Sequence, residues 1–211
     1  MAQLMYLVLG VIVLLIIIIL AWRFASDRSS LPCPVWLSWL VELDNPVFQN
    51  DRARNIIQHL DLQTGMNVLD FGCGPGRLTI PIAKQIGPAG QVTAFDIQAE
   101  MLNRNRAKAM SENLNNIQFV QGGAGEGKLE HNIYDCVLLV TVLGEIPNKD
   151  AALKEIFDAL KPGRILSITE VIADPHFQSR ASVLRRTNAV GFVEKNFFGN
   201  GLSFTINFEK P

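Results

Sequence analysis

Histidine is scarce in this chain, and cationic side chains are not in excess. The 211 residues carry three histidines and a formal net charge of −1. The histidines His59, His131 and His176 are scattered, and none is paired with a cysteine at the spacing of a metal-binding site. Clusters of Lys and Arg, which a nucleic-acid-binding surface needs, are missing as well. The composition therefore favours neither a metal site nor a nucleic-acid partner.

Cysteine is equally scarce, and this bears on the compartment. The three cysteines Cys33, Cys73 and Cys136 are irregularly spaced. They do not form the even-numbered framework of a small, disulfide-rich secreted domain. An odd and irregular set is typical of a reducing environment, so the pattern favours the cytoplasm.

Charge is absent from residues 4–22, a run of 19 mostly apolar residues. A helix of that length spans roughly 28 Å, close to the hydrocarbon thickness of a bilayer. A cleaved signal peptide, the alternative, would begin with basic residues and end at small side chains. Here residues 1–3 carry no basic side chain, and the run ends at the bulky Trp22. We therefore predict an uncleaved transmembrane anchor over residues 1–25.

The charges that flank this run predict its orientation. Arg23 and Arg28 follow the run, and no Lys or Arg precedes it, so the C-terminal side is expected to face the cytoplasm. Residues 26–50 are predicted to form a juxtamembrane linker with a short amphipathic helix over residues 35–43. The two tryptophans of that helix fit the membrane interface, and they fit packing on the following domain equally well.

The stretch around which the remaining chain is organised is residues 67–77. A short apolar segment, predicted to be a strand, is followed by Gly72, Gly74 and Gly76, and an amphipathic helix begins near Leu78. Glycines between a strand and a helix let backbone N–H groups approach a ligand closely, because no Cβ intervenes. The stretch therefore predicts a nucleotide-type cofactor site.

The spacing distinguishes between cofactors. A dinucleotide fingerprint has glycines at its first, third and sixth positions, whereas here they fall at the first, third and fifth, and Asp70 precedes them by two residues. A carboxylate there would repel a pyrophosphate but attract an amino-acid ammonium group. This Asp-x-Gly-x-Gly-x-Gly pattern resembles the first motif of class I S-adenosylmethionine (SAM)-dependent methyltransferases. The resemblance covers residues 51–211 and implies that Asp70, the three glycines and Cys73 hold the methionine moiety of SAM.

The order of the predicted elements agrees with that family. Strands are predicted over residues 66–70, 91–96, 116–120, 134–140 and 164–170, with helices over 52–60, 78–86, 98–113, 150–160 and 177–190. Residues 161–163 are predicted to form the turn before the fifth strand, and residues 191–208 a hairpin. The resemblance implies an α/β, Rossmann-like, doubly wound fold with a mostly parallel seven-stranded sheet. The C-terminal antiparallel hairpin distinguishes it from a dinucleotide dehydrogenase.

The second strand supplies a further cofactor residue. Asp96 ends that strand 20 residues after Gly76, the distance at which a ribose-binding acid is expected. Its carboxylate would accept charge-assisted hydrogen bonds from ribose hydroxyls. Ile97, the next residue, fits packing on the adenine and packing in the following helix and core equally well. Many relatives carry an acidic residue before an alanine for the adenine amino group. This chain has Gly123-Ala124 there, so their backbone or the carboxylate of Glu126 is expected to substitute.

The fourth strand points to the acceptor. Ligands of parallel sheets bind beyond the C-terminal strand ends, so residues 141–145 should face the methyl donor and the acceptor, with Thr141 nearest the cofactor. Glu145 is the first candidate for an acceptor-orienting or proton-accepting group, and His176 is the second. Arg180 is an alternative that would bind an anionic acceptor.

The whole domain most resembles methyltransferases of ubiquinone and menaquinone biosynthesis. The resemblance implies methyl transfer to a small-molecule acceptor, and the anchor suggests a lipophilic one, such as a quinone precursor or a phospholipid head group. Two other classes stay open. A non-catalytic SAM-binding or scaffold protein would keep the glycines and lose acceptor residues, whereas a nucleotide-dependent oxidoreductase is disfavoured by Arg77 and the hairpin.

Overall fold

The structure, a computed structural model, describes residues 48–211 and seven separate positions between residues 6 and 17. The predicted anchor (residues 1–25) and linker (residues 26–50) therefore lie largely outside the described residues. In the part that is described, no helix is both long and apolar enough to cross a bilayer. The seven positions have helical backbone, and the large apolar side chains among them are exposed.

Residues 48–211 fold into alternating strands and helices. The strands are β1 (Asn67–Phe71), β2 (Gln91–Asp96), β3 (Ile117–Gln121), β4 (Tyr134–Val140), β5 (Leu160–Val171), β6 (Val193–Gly199) and β7 (Ser203–Glu209). The α-helices are α1 (Ala53–Gln58), α2 (Thr79–Ile86), α3 (Ala99–Ser111), α4 (Lys149–Ala159) and α5 (Arg180–Val190). Short 3-10 turns cover Gln49–Asp51 and Leu143–Glu145.

Within the described range these strands form a single seven-stranded sheet in the order β3-β2-β1-β4-β5-β7-β6. Strands β1 to β5 are parallel to one another, and β7 runs antiparallel to both β5 and β6. The strand order reverses between β1 and β4, which is where ligands bind in sheets of this kind. The predicted mixed sheet with its C-terminal hairpin is confirmed.

Apolar cores cover both faces of the sheet. Val68, Cys136 and Leu138 pack with α1 and α2 on one face, while Leu69 and Val137 pack with α4 and α5 on the other. Because β4 lies at the centre and is covered on both sides, its sequence from Cys136 to Val140 is continuously apolar rather than alternating.

The start of the fifth strand differs from the prediction. Residues 161–163 were expected to form a turn, but α4 ends at Ala159 and β5 begins at Leu160, which pairs with Tyr134. The Gly163 N–H donates to the carbonyl of Lys210 at 2.7 Å. Pairing with the residues that follow β7 therefore holds residues 161–163 in β5, where the local sequence predicts a turn.

The last helix also begins later than predicted, at Arg180 rather than at residue 177. Ser179 is its N-cap, and the Ser179 hydroxyl accepts a hydrogen bond from the N–H of Ser182 at 3.3 Å. The hairpin turn is as predicted. The side-chain oxygen of Asn200 accepts hydrogen bonds from the N–H groups of Leu202 and Ser203 at 2.9 and 3.2 Å.

Candidate active site

Asp70 lies near the end of β1 in a chain of buried polar side chains. The Thr79 hydroxyl donates to its carboxylate at 2.6 Å, and the Asn105 amide donates to that hydroxyl at 2.9 Å. Burial raises the pKa of Asp70 from its usual 3.8 to about 6, although the bond from Thr79 opposes this. The carboxyl is thus fixed at the switch point and is mainly ionised at neutral pH.

Asp96 ends the neighbouring strand and holds the glycine loop (residues 72–76). One carboxylate oxygen accepts the N–H of Gly74 at 2.9 Å, and the other accepts the N–H of Gln98 at 2.8 Å. Burial raises the pKa of Asp96, while these backbone hydrogen bonds lower it. The predicted ribose residue therefore also connects β2 to the loop after β1, a role that the spacing did not reveal.

The glycines of the loop differ in what surrounds them. A side chain at Gly72, where φ is +77°, would come within 2.5 Å of Val142. Gly74 has a φ of +50°, and no heavy atom of the described residues lies within 4 Å of where its Cβ would be. Gly72 thus packs on the protein, whereas Gly74 presents an open side to a ligand. Gly76 packs on Asn105, and burial raises the pKa of the Cys73 thiol well above its usual value.

A cavity of about 300 Å³ lies next to Asp96, beyond the ends of β2 and β3. It is lined by Ile97, Gln121, Gly122, Gly123, Glu126 and Lys128. A second cavity of about 290 Å³, lined in part by Gly65, Asp135 and Arg164, lies at the opposite edge, where parallel strands begin. The two cavities have similar volumes. Of the two, the first lies at the edge where sheets of this kind bind ligands.

Within the first cavity, Glu126 takes the space of the residue that the family resemblance placed at position 123. Its carboxylate accepts the Gly123 N–H at 3.1 Å and pairs with the Lys128 ammonium at 3.0 Å. A Cβ at Gly123 would collide with this carboxylate. The hydrogen bond from Lys128, followed by that from Gly123, lowers the pKa of Glu126. Ala124 does not line the cavity and instead packs against the core.

Thr141 begins the β4 turn (residues 141–145). It has a φ of +55°, which a β-branched residue seldom adopts. Its N–H donates to the carbonyl of Thr169 at 2.9 Å, and its hydroxyl donates to the carbonyl of Val140 at 2.7 Å. The chain is therefore held in a strained conformation where it leaves the central strand towards the site.

Glu145 and His176 are brought together by the two loops. His176 Nδ1 lies 3.8 Å from a carboxylate oxygen of Glu145 and 3.9 Å from one of Asp174. A side chain at Gly144 would collide with the backbone of His176, so the β4 turn packs directly on the β5 loop (residues 172–179). The β4 turn therefore contacts two loops: Val142 packs against the glycine loop, and Gly144 packs against the β5 loop.

Arg180, the alternative acceptor-binding residue, does not join this pair. Its guanidinium donates to Glu194 at 2.8 Å and lies over the ring of Phe197, 4.6 Å from the ring centroid. The side chain is therefore engaged with β6, on the outer part of the sheet.

Comparison with known proteins identifies the family. Residues 62–195 match the family described as "Methyltransferase domain". This chain belongs to that methyltransferase-domain family. The prediction of the class I SAM-dependent family, made from the first motif, is thereby confirmed.

Two bacterial relatives of this chain share one name. The demethylmenaquinone methyltransferase of Lactococcus lactis is 34% identical over 147 residues, which is 69% of this chain and 58% of the relative. The protein of the same name from Lactobacillus johnsonii is 36% identical over 123 residues, 58% of this chain and 50% of the relative. The methyltransferase domain thus spans about half the length of the curated relatives it matches.

Solved structures share the fold. A SAM-dependent methyltransferase from Aquifex aeolicus has a TM-score of 0.75 at 20% identity, covering 85% of this chain and 100% of its own. The [4+2]-cyclase SpnF has a TM-score of 0.64 at 24% identity, covering 70% of this chain and 60% of its own. One fold hosts different reactions, so the shared fold alone does not determine the reaction.

One buried acid of the methyltransferase domain was not singled out from the sequence. Glu170, at the end of β5, is 1% exposed, and its carboxyl accepts the N–H of Gln178 at 3.0 Å. Burial raises its pKa from 4.5 to about 8. The available signal was a carboxylate at the C-terminal end of a parallel strand beside β4, the same edge of the sheet that pointed to residues 141–145.

Proposed function

We propose that this chain is a membrane-anchored, SAM-dependent methyltransferase that acts on a lipophilic quinol of the demethylmenaquinone class. The observation that carries the proposal is the similarity to demethylmenaquinone methyltransferases, 34% identical over 69% of this chain. The geometry of the site supports the proposal in two parts, a cofactor end and an acceptor end.

The cofactor end fits SAM. The open side of Gly74 admits the methionine moiety, the buried carboxylate of Asp70 suits its ammonium group, and Asp96 suits the ribose hydroxyls. The cavity beside Asp96 is large enough for the adenine, with Ile97 against the ring and Glu126 as acceptor for the amino group. When bound, SAM supplies a methyl group activated by its sulfonium charge.

The acceptor end holds groups that can orient a hydroxyl and take its proton. The His176 imidazole accepts the proton from a ring hydroxyl of the acceptor, and the carboxylates of Glu145 and Asp174 stabilise the resulting imidazolium. Removal of that proton makes the ring more electron-rich and therefore a better nucleophile. Thr141 and the β4 turn set the position of the acceptor, and orientation alone contributes about 7–11 kcal/mol in favourable cases.

The membrane location rests on residues 4–22. The six large apolar residues described in this stretch (Tyr6, Leu9, Val11, Val13, Leu14 and Ile17) are 48–66% exposed, and a bilayer would cover them. Arg23 and Arg28 orient the following domain towards the cytoplasm. An anchored domain meets a membrane-dissolved quinol at a high effective concentration.

Methyl transfer is tested with the full chain in lipid vesicles and methyl-labelled SAM. Demethylmenaquinone is supplied in reduced and oxidised form, beside the water-soluble 1,4-dihydroxy-2-naphthoate and plain phospholipid. We expect label on the reduced quinone, and a loss of S-adenosylhomocysteine affinity of more than about tenfold in Asp96→Asn. Label on phospholipid or on naphthoate alone would contradict the proposed acceptor. Cofactor binding with no transfer would indicate a non-catalytic SAM-binding protein.

The anchor is tested by membrane fractionation of the full chain. We expect the protein to stay in the pellet after an alkaline carbonate wash. The double substitution Val13→Lys and Ile17→Lys should release it, because each cation at the centre of a span costs about 2.5–3.5 kcal/mol. A matched variant with Val13→Leu and Ile17→Leu should stay in the pellet. Equal release of all three proteins would contradict the anchor.

A further inference from the structure

A buried carboxyl at the end of β5 holds the loop that carries His176. Glu170 is 1% exposed, and one of its oxygens accepts the N–H of Gln178 at 3.0 Å. Its other oxygen, Oε1, has no hydrogen-bond partner among the residues that the structure describes. A buried acid in that condition is costly for stability, and such costs cluster at functional sites.

From Glu170 a continuous set of hydrogen bonds leads to His176. The Gln178 side-chain amide donates to the carbonyl of His176 at 3.0 Å, and the N–H of His176 donates to Asp174 at 2.6 Å. Gly144 packs against the backbone of His176 from the other side. The position of His176 relative to Glu145 therefore depends on the β5 loop remaining fixed to Glu170.

The charges around Glu170 determine which protonation state keeps the loop fixed. The groups that face it are Asp174 on the β5 loop, Glu145 on the β4 turn and Lys149 on α4, with His176 beside the two carboxylates. An ionised Glu170 would be a third carboxylate beside one ammonium group, away from water. Opening of the loop would hydrate that charge, so ionisation favours the open loop.

We propose that Glu170 is the positioning residue of the acceptor end, whose protonated carboxyl keeps the β5 loop, and with it His176, against the β4 turn. Loss of that proton to solvent loosens the loop. This proposal rests on the proposed function, because the position of His176 matters for catalysis only if the acceptor binds there.

Hydrogen exchange of the full chain tests the loop directly, without any substrate. Exchange of the segment over residues 172–179 is compared at pH 6.5 and 8.5, after correction for the intrinsic rate. Because the pKa of Glu170 is about 8, we expect wild-type protection to fall at least about fivefold at the higher pH. Glu170→Gln, which keeps the acceptor and cannot ionise, should be protected equally at both values, and Glu170→Ala should be unprotected at both.

Glu155 offers a matched control. Its carboxylate also holds a loop, accepting the N–H groups of Gly125 and Leu129 at 2.7 and 3.0 Å. Glu155→Gln should leave exchange over residues 172–179 as in the wild type. A Glu170→Gln variant that loses protection at pH 8.5 like the wild type would overturn the proposal, and so would a protected Glu170→Ala variant. Should Glu170→Ala not fold, the Glu170→Gln comparison decides.

Transfer kinetics separate positioning from general stability. The wild type should lose kcat above pH 8 while the KM for SAM stays constant, and Glu170→Gln should keep its kcat there. A merely structural role would leave the pH profile unchanged in Glu170→Gln. If no quinol is methylated at all, the proposed acceptor is wrong, and the exchange experiment still decides the role of Glu170.

Discussion

The two ends of the candidate site are built differently. At the cofactor end, Asp70 and Asp96 accept hydrogen bonds of 2.6–2.9 Å from within the fold. At the acceptor end, His176 stands 3.8–3.9 Å from two carboxylates, Thr141 is in a left-handed conformation, and Glu170 has a buried oxygen without a partner in the described chain. At the first end both carboxylates are held by hydrogen bonds, whereas the second end combines a strained backbone position with a buried carboxyl oxygen that lacks a partner among the described residues.

This difference suggests a division of labour. A cofactor that is common to many reactions can be bound by rigid backbone and two fixed carboxylates. The acceptor end has to move a proton and position a specific ring, and strained or poorly satisfied groups are typical of such sites. Substitutions at the cofactor end should therefore affect folding and affinity together. At the acceptor end they should affect stability less, or even raise it.

The largest effect is expected at Gly72. Gly72→Ala forces a Cβ to within 2.5 Å of Val142 at a φ of +77°, which should cost about 2–5 kcal/mol in the free energy of unfolding. Gly74→Ala is the matched variant, because its Cβ would meet no atom of residues 48–211 within 4 Å. It should cost only about 1–2 kcal/mol but weaken S-adenosylhomocysteine binding more than about tenfold. Urea unfolding and calorimetric titration measure both quantities, and equal stability losses in the two variants would contradict the contrast.

The same contrast explains what the sequence could predict. Asp70 and the three glycines lie within seven consecutive residues, so the local order of strand, turn and helix already defines the cofactor loop. The role of Glu170 depends on Gln178 and on a β4 turn 25 residues earlier, contacts that exist only in the fold. The start of β5 was misplaced for a similar reason, because the partner of Gly163 is the C-terminal Lys210.

The second prediction concerns pH at the cofactor end. Asp70, whose pKa is raised to about 6, must be ionised to attract an ammonium group. Affinity for S-adenosylhomocysteine should therefore fall about tenfold between pH 7 and pH 5. The ammonium stays protonated throughout this range, so the change reports the carboxyl. Because the pKa of Asp70 in the folded protein is above its usual 3.8, ionisation of Asp70 also lowers the free energy of unfolding as pH rises from about 4 to 6.

Asp70→Asn is the control for that pH dependence. Its affinity for S-adenosylhomocysteine should be lower at pH 7 and nearly constant down to pH 5. Its free energy of unfolding should lack the decrease that ionisation of Asp70 causes between pH 4 and 6. An unchanged slope of affinity in Asp70→Asn would assign the titration to another group, with Asp96 the first candidate because burial raises its pKa as well.

The third prediction tests strain at the acceptor end. Asparagine tolerates the left-handed region far better than threonine, so Thr141→Asn should raise the free energy of unfolding by about 1 kcal/mol while lowering methyl transfer. Asn113, at a φ of +56° on the surface, allows the reverse test. Asn113→Thr should lose about 1 kcal/mol and leave transfer unchanged. Destabilisation by Thr141→Asn would show that the strain is compensated locally rather than retained for function.

The smallest effect is expected at Glu126, which is exposed to solvent. S-inosylhomocysteine lacks the amino group that the Glu126 carboxylate is proposed to accept, so the wild type should prefer S-adenosylhomocysteine. Glu126→Gln should reduce that preference by about threefold. Because a side chain at Gly123 would collide with the Glu126 carboxylate, Gly123→Asp alone should weaken binding.

Rescue gives the sharper result. The double variant Gly123→Asp with Glu126→Ala moves the carboxylate back to the position at which the family resemblance places it, and it should recover the preference. Recovery would mean that the site depends on where the carboxylate lies in space, and that Glu126 supplies it from three residues further along the chain. Failure of the double variant, with Gly123→Asp still folded, would mean that adenine is recognised by backbone groups. Adenine would then be bound as the rest of the cofactor is proposed to be, by rigid backbone, and the difference from the acceptor end would extend to the adenine cavity.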